Sequence, residues 1–159
     1  MVATVVFDLD GTLACGKHRL HLLPHKDSAH ITQSWNEFNL AAGADEPIQD
    51  NIDLCNTLYN EYNLVILTGR CDIARDITEE WLYENYVKYD KLIMRPADDH
   101  RTDTEFKEEE LRKIGLENIL CAFDDLEHVA KHIRSLGVTC HLVTHYDEKR
   151  IDVEPRSEK

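Results

Sequence analysis

The chain has 159 residues, 42% apolar and 31% charged, with a formal net charge of −13. This is the composition of a single soluble globular domain with a sizeable core, and no apolar run approaches the roughly 20 residues of a membrane span. The acid excess argues against extended binding to duplex nucleic acid, because such affinity comes largely from neutralising phosphates with Lys and Arg.

The five cysteines (Cys15, Cys55, Cys71, Cys121, Cys140) are odd in number and show no C-x-x-C spacing. Free thiols in a reducing compartment are expected, hence a cytoplasmic location, or the host cytoplasm for a viral chain. The start of the chain has neither a basic segment nor a small-residue cleavage site, so no secretory signal is read there.

In chain order, the β-branched and aromatic run Thr4–Phe7 reads as a buried strand. It delivers Asp8 and Asp10, then Gly11 and Thr12. Gly11 permits a tight turn, and the backbone N–H groups that follow are candidates to point at an anion. Residues 15–43 read as a long irregular stretch, a cap-like loop carrying Lys17, Arg19, Trp35 and four of the nine histidines. A loop of this length in a small domain is usually functional. Its histidines fit no common zinc spacing, and its basic and aromatic residues are expected on the surface or facing an anionic substrate that bears a ring.

A helix follows over about residues 45–62, with Pro47 in its first turn, and then a strand over 64–67 ends at Thr68. Gly69 is read as turning into a second amphipathic helix over about 72–86. A third strand covers 91–95, and an acidic loop (98–103) leads to a helix over 104–114 that carries Lys107. The fourth strand (119–123) ends in Asp124 and Asp125, a helix covers 126–136, and the fifth strand covers 138–143. A charged tail follows from about residue 147. The alternation of strands and helices predicts βαβ units and an α/β, Rossmann-like fold. Its mainly parallel five-stranded sheet is flanked by helices, with the cap-like insertion after the first strand of a domain spanning 1–146.

In such a sheet the carboxyl ends of the strands line the ligand site. Asp8 and Asp10, Thr68, and Asp124 with Asp125 therefore converge there, with Lys107 arriving from a helix. Paired carboxylates resist joint ionisation unless a cation lies between them, and an oxygen-only set suits magnesium. Ordinary roles remain open for each residue. Asp-x-Asp-Gly also occurs in turns and calcium loops, although Arg19 at the twelfth position excludes an EF-hand. Asp124 and Asp125 are good helix caps, Thr68 a plausible core hydroxyl, and Lys107, among Glu105, Glu108, Glu109 and Glu110, a plausible member of a solvated face. Arg70 suits either a substrate clamp or a partner for the acidic loop.

The combination Asp8-Leu-Asp-Gly-Thr12, Leu67-Thr-Gly-Arg70, Lys107 and Phe123-Asp-Asp125 resembles the four motifs of the haloacid dehalogenase (HAD) superfamily. The segments 14–23, 67–81, 92–96 and 122–140 further resemble the 3′-phosphatase half of bacteriophage-type polynucleotide kinase–phosphatases. No glycine lies in a G-x-x-x-x-G-K-[ST] frame, so no kinase P-loop is expected.

The resemblance implies a magnesium-dependent phosphomonoesterase acting through an aspartyl-phosphate. Asp8 would be the nucleophile and Asp10 the general acid and base. Asp8, the carbonyl of Asp10, and Asp124 would hold the metal, with Asp125 a ligand or its neighbour. Thr68 and Lys107 would stabilise the phosphoryl group. Gly11, Thr12, Gly69, Arg70, Arg19 and Arg95 would complete the substrate site. The implied substrate is a phosphorylated nucleic-acid end or a nucleotide. A 5′-nucleotidase or other small-molecule phosphatase, and a non-catalytic binding module, remain as alternatives.

Overall fold

The computed structural model describes residues 2–144, and the charged tail expected from residue 147 lies outside the described residues. The elements in order are β1 (Thr4–Phe7), β2 (Ala14–Cys15), α1 (Asn36–Leu40), β3 (Glu46–Pro47), α2 (Gln49–Tyr59) and β4 (Asn63–Cys71). They continue with α3 (Arg75–Glu84), β5 (Lys91–Arg95), α4 (Asp103–Ile114), β6 (Ile119–Asp124), α5 (Glu127–Ser135) and β7 (Cys140–Leu142).

β1 sits at the centre of a five-stranded sheet of order β5-β4-β1-β6-β7, and every pairing is parallel. The chain therefore winds outward through β4 and β5, returns across the sheet, and winds outward again through β6 and β7. Alternate residues of the central strands point to opposite faces. Val5, Phe7, Leu64 and Ile66 pack with Ile52 and Cys55 of α2 and with Trp81 and Leu82 of α3. Val6, Val65 and Leu67 pack with Phe106 and Leu111 of α4 and with Val129 and Ile133 of α5. Both faces are covered, which is why β1 and β4 read as unbroken apolar runs. No helix among the described residues is long and apolar enough to cross a membrane. All five cysteines are buried free thiols.

Three expectations are corrected. Pro47 does not open a helix: it pairs with Ala14 in the short antiparallel β2–β3 ladder, and α2 begins at Gln49. That ladder clips together the two ends of the insertion. Gly69 does not turn into a helix either. β4 runs on to Cys71 through an irregularity between Thr68 and Cys71, of the kind that re-aims side chains. The insertion, read as irregular, consists of β2, short 3-10 turns (Lys17–Leu22, Lys26–Ser28, Thr32–Trp35, Ala41–Ala44) and α1. Its outer part is fastened to the loop after β5. Thr32 donates through its hydroxyl to the Asp99 carbonyl, and Gln33 Nε2 donates to the Ala97 carbonyl at 2.7 Å.

Candidate active site

β1 ends at the sheet's carboxyl edge, beside the ends of β4 and β6, so Asp8 comes to lie near Thr68 and Asp124. The turn after β1 is built by Gly11 at φ 81°, a conformation only glycine adopts without cost. The backbone N–H of Gly11 donates to the Ala14 carbonyl at 2.8 Å, and that of Thr12 donates to the Leu9 carbonyl at 3.2 Å. This corrects the expectation for both residues: their amides are spent inside the turn. Thr12 instead donates its hydroxyl to Asp8 Oδ2 at 3.3 Å.

Lys107 is the centre of the acidic group. A capping box between Thr102 and Glu105 starts α4 at Asp103, which sets Lys107 one turn into the helix. The lysine is 5% exposed, and its ammonium donates to Asp8 Oδ1 at 2.9 Å and to Asp124 Oδ2 at 2.6 Å. It belongs to the buried site and not to a solvated face.

Asp8, Asp124 and Asp125 place oxygens within 4.8 Å of one another, a grouping able to hold a metal ion. Burial, then the negative charges of Asp124 and Asp125, push the Asp8 carboxyl well above its usual range, against the pull of Lys107. Burial alone would lower the Lys107 ammonium, but Asp124 and Asp8 outweigh it and keep the group charged. Three carboxylates sharing one ammonium are short of positive charge. An all-oxygen set of this kind fits a hard divalent cation such as magnesium. Asp124 also accepts the Leu126 backbone N–H at 3.0 Å, so it serves the turn into α5 as well as the cluster.

Asp10 is held separately. Arg19 Nη2 and Arg70 Nη2 both donate to Asp10 Oδ1, at 2.5 and 2.6 Å. Burial would raise the Asp10 carboxyl, but Arg70 and then Arg19 hold it well below the ordinary carboxylate range. Arg70 reaches this place because the irregularity in β4 turns it inward, and its Nη1 donates to Thr78 at 2.8 Å. Arg70 thus makes no pair with the 98–103 loop. Arg19 is corrected in one respect: expected on the face of the cap, it is fully buried, with its guanidinium 4.1 Å from the centre of the Phe38 ring. Arg19 Nη1 donates to the Phe38 carbonyl at 3.0 Å. The other insertion residue expected to meet a ring, Trp35, spends its indole N–H on the Ala29 carbonyl at 2.8 Å.

Thr68 is 1% exposed, and its hydroxyl oxygen accepts the Arg70 backbone N–H at 3.0 Å, which leaves its O–H free to donate elsewhere. Arg95, a candidate for substrate contact, is fully buried and wholly engaged. It donates to the Gly69 carbonyl at 3.1 Å, the Arg101 carbonyl at 2.7 Å and Asp103 Oδ1 at 2.7 Å. Its guanidinium binds the loop and β4 together, and no donor faces outward to a substrate.

Two acids escaped the sequence reading. Asp45 accepts from Arg19 Nε and Nη2, both at 2.8 Å, and from His18 at 2.7 Å. Asp103 holds Arg95 and lies so close to Gly69 that a Cβ there would stand 2.6 Å from Asp103 Oδ1. The capping box was the readable signal for Asp103, since it places Asp103 and Lys107 on one helix face four residues apart. For Asp45 no local signal existed.

Two solved structures of a Pnkp1/Rnl/Hen1 RNA repair complex contain a chain similar to this one. Each is 24% identical over 92% of this chain, with TM-scores of 0.70 and 0.72. This chain spans less than half of those chains, 44% and 48% of their length. A haloacid dehalogenase-like hydrolase from Streptococcus pneumoniae matches at 15% identity and TM-score 0.67, over 95% of this chain and 89% of its own. A HAD family enzyme from Bacteroides thetaiotaomicron, in complex with magnesium and inorganic phosphate, matches at 14% identity and TM-score 0.54, over 92% and 97% of the two chains. No curated protein matches. At these identities the solved structures establish a shared fold. The family model for the polynucleotide kinase PNKP phosphatase domain matches residues 2–147 of the 159, a span that includes every described residue, and the chain belongs to that family of HAD-type phosphatase domains.

Proposed function

We propose that this chain is a magnesium-dependent phosphomonoesterase that removes the 3′-phosphate from polynucleotide ends through an aspartyl-phosphate on Asp8. The observation that carries the reading is the buried group in which Lys107 bonds both Asp8 and Asp124, set beside a separately held Asp10. Asp8 attacks phosphorus while Asp10 protonates the leaving 3′-oxygen. Asp10 then takes a proton from the water that cleaves the acyl phosphate. Asp8, the Asp10 carbonyl and Asp124, with Asp125 as ligand or close partner, would hold a magnesium ion. When bound, that ion offsets the repulsion between an anionic nucleophile and an anionic substrate.

Lys107 and the Thr68 hydroxyl, with the backbone of Gly69 beside them, receive the phosphoryl oxygens. Arg19 and Arg70 keep Asp10 as a carboxylate in the resting chain. The negative charge of a phosphate bound beside Asp10 raises its proton affinity against that hold while the arginines stay in place, so Asp10 can carry the proton its role as acid requires. Support for a nucleic-acid end, over a free nucleotide, comes from the family and from the solved repair complexes that contain a similar chain. The chain's net charge of −13 sets a limit on that contact, which is confined to the terminus. A cytoplasmic setting accords with five free thiols.

The test is phosphate release, with and without magnesium, from a 3′-phosphorylated oligonucleotide, a 5′-phosphorylated one and a panel of mononucleotides. Preference for the first is expected, with loss of activity in excess chelator. Preference for a mononucleotide would make the chain a nucleotidase, and activity that survives chelation would remove the metal from the mechanism.

A further inference from the structure

Asp45 stands where three parts of the molecule meet. It closes the insertion immediately before β3, and its backbone carbonyl accepts the Trp81 indole N–H from α3 at 2.8 Å. Its carboxylate has no solvent exposure, whereas that of Asp10 is 25% exposed. Between these two acids lie two guanidiniums. Arg19 Nη2 is 2.8 Å from Asp45 Oδ2 and 2.5 Å from Asp10 Oδ1. Arg70 Nη2 is 3.6 Å from Asp45 Oδ2 and 2.6 Å from Asp10 Oδ1. The same nitrogens therefore face a closed anion behind and an open anion in front, so a ligand can reach them only from the Asp10 side.

We infer that Asp45 is a positioning residue for the phosphoryl reaction. From behind, it anchors Arg19 and Arg70 so that their outward nitrogens hold Asp10 in its working place, and it limits how strongly those arginines grip phosphate itself. The inference rests on the phosphatase reading above and assigns to that site a residue outside the reacting group. With two buried cations and only Asp10 in front, the guanidiniums would have an unbalanced charge, and any phosphate dianion would draw them forward. Binding of substrate and product would then tighten while Asp10 lost its alignment. Stronger ground-state binding of that kind does not raise the turnover rate. A merely structural ion pair would behave differently, lowering the folded fraction and leaving the remaining molecules with normal constants.

The experiment compares wild type, Asp45→Asn, Arg19→Gln and the double variant, reading kcat and KM on a 3′-phosphorylated oligonucleotide and inhibition by inorganic phosphate. In Asp45→Asn, kcat is expected to fall on the order of 100-fold, the scale of a misplaced catalytic group, while KM does not rise and phosphate inhibits at a lower concentration. Since Asp45 acts chiefly through Arg19, the double variant should be within about twofold of Arg19→Gln alone, the non-additivity expected of coupled sites. This second comparison holds even where Asp45→Asn does not fold. An unchanged kcat in Asp45→Asn, or lower activity with wild-type KM and phosphate inhibition, would overturn the inference. So would a double variant about tenfold slower than Arg19→Gln. A wild-type protein that releases no phosphate from any substrate would instead refute the phosphatase reading.

Discussion

Replacing Lys107 with methionine isolates the charge at the centre of the site. Methionine keeps most of the buried stem, so little is lost to a cavity. What disappears is the ammonium 2.9 Å from Asp8 and 2.6 Å from Asp124, and these buried acids are left facing each other and Asp125. Removing one partner of a buried ion pair costs about 3–5 kcal/mol. For a domain of this size that corresponds to a fall of roughly 6–20 °C in Tm. A divalent cation that binds only the folded chain returns about 2.7 kcal/mol at one hundred times its Kd. Magnesium should therefore stabilise Lys107→Met more than wild type, where the lysine already shares the same carboxylates. Urea unfolding at pH 7, with and without magnesium chloride, measures both quantities. A loss below about 1 kcal/mol, or equal stabilisation of the two proteins by magnesium, would show that Lys107 is not the counter-charge of this cluster.

Asp8→Asn should fold normally and lose turnover by about 10⁴-fold or more, the scale seen when an attacking residue is removed; measurable single-turnover hydrolysis near the wild-type rate would exclude Asp8 as nucleophile. Gly69→Ala should drive Asp103 off Arg95 and cost about 1–3 kcal/mol by overpacking, and a variant as stable as wild type would mean that the contact relaxes freely. The Arg70 and Arg19 guanidiniums hold the folded Asp10 carboxyl below its unfolded value, so the unfolded chain binds the extra proton first as pH drops. That stability is complete above the unfolded value of about 3.9 and is lost as pH falls through the folded one. Asp10→Asn should therefore flatten the acid limb of a urea-midpoint-versus-pH curve, and an unchanged limb would contradict the arginine clamp.

The sheet was readable because its strands are buried on both faces. Val5–Phe7 and Leu64–Leu67 are apolar without interruption, and each run leads into the polar residues of the site. The carboxylates and Lys107 were readable because their chemistry is compressed into short motifs. The extension of β4 was not, since it depends on Asp103 and Arg95 lying against Gly69 from another part of the chain. Arginine is rarely buried, so Arg19 and Arg95 read as residues that face a substrate and not as part of the interior. Their burial follows from partners that only the fold supplies: Asp45 is 26 residues from Arg19, and Arg95 binds carbonyls at Gly69 and Arg101. Asp45 itself lay beside Pro47 in a segment that reads as a helix start. Its importance arises from the β2–β3 ladder that brings it back to the insertion's first turn.

The most direct test of the mechanism is to mix the magnesium-loaded enzyme with an oligonucleotide carrying a radiolabelled 3′-phosphate and quench in acid within the first turnover. Labelled protein, with the phosphoryl group on the peptide that contains Asp8 and none in Asp8→Asn, is the predicted result. Rapid phosphate release with no trapped phosphoprotein at any quench time, or label on a different residue, would contradict it.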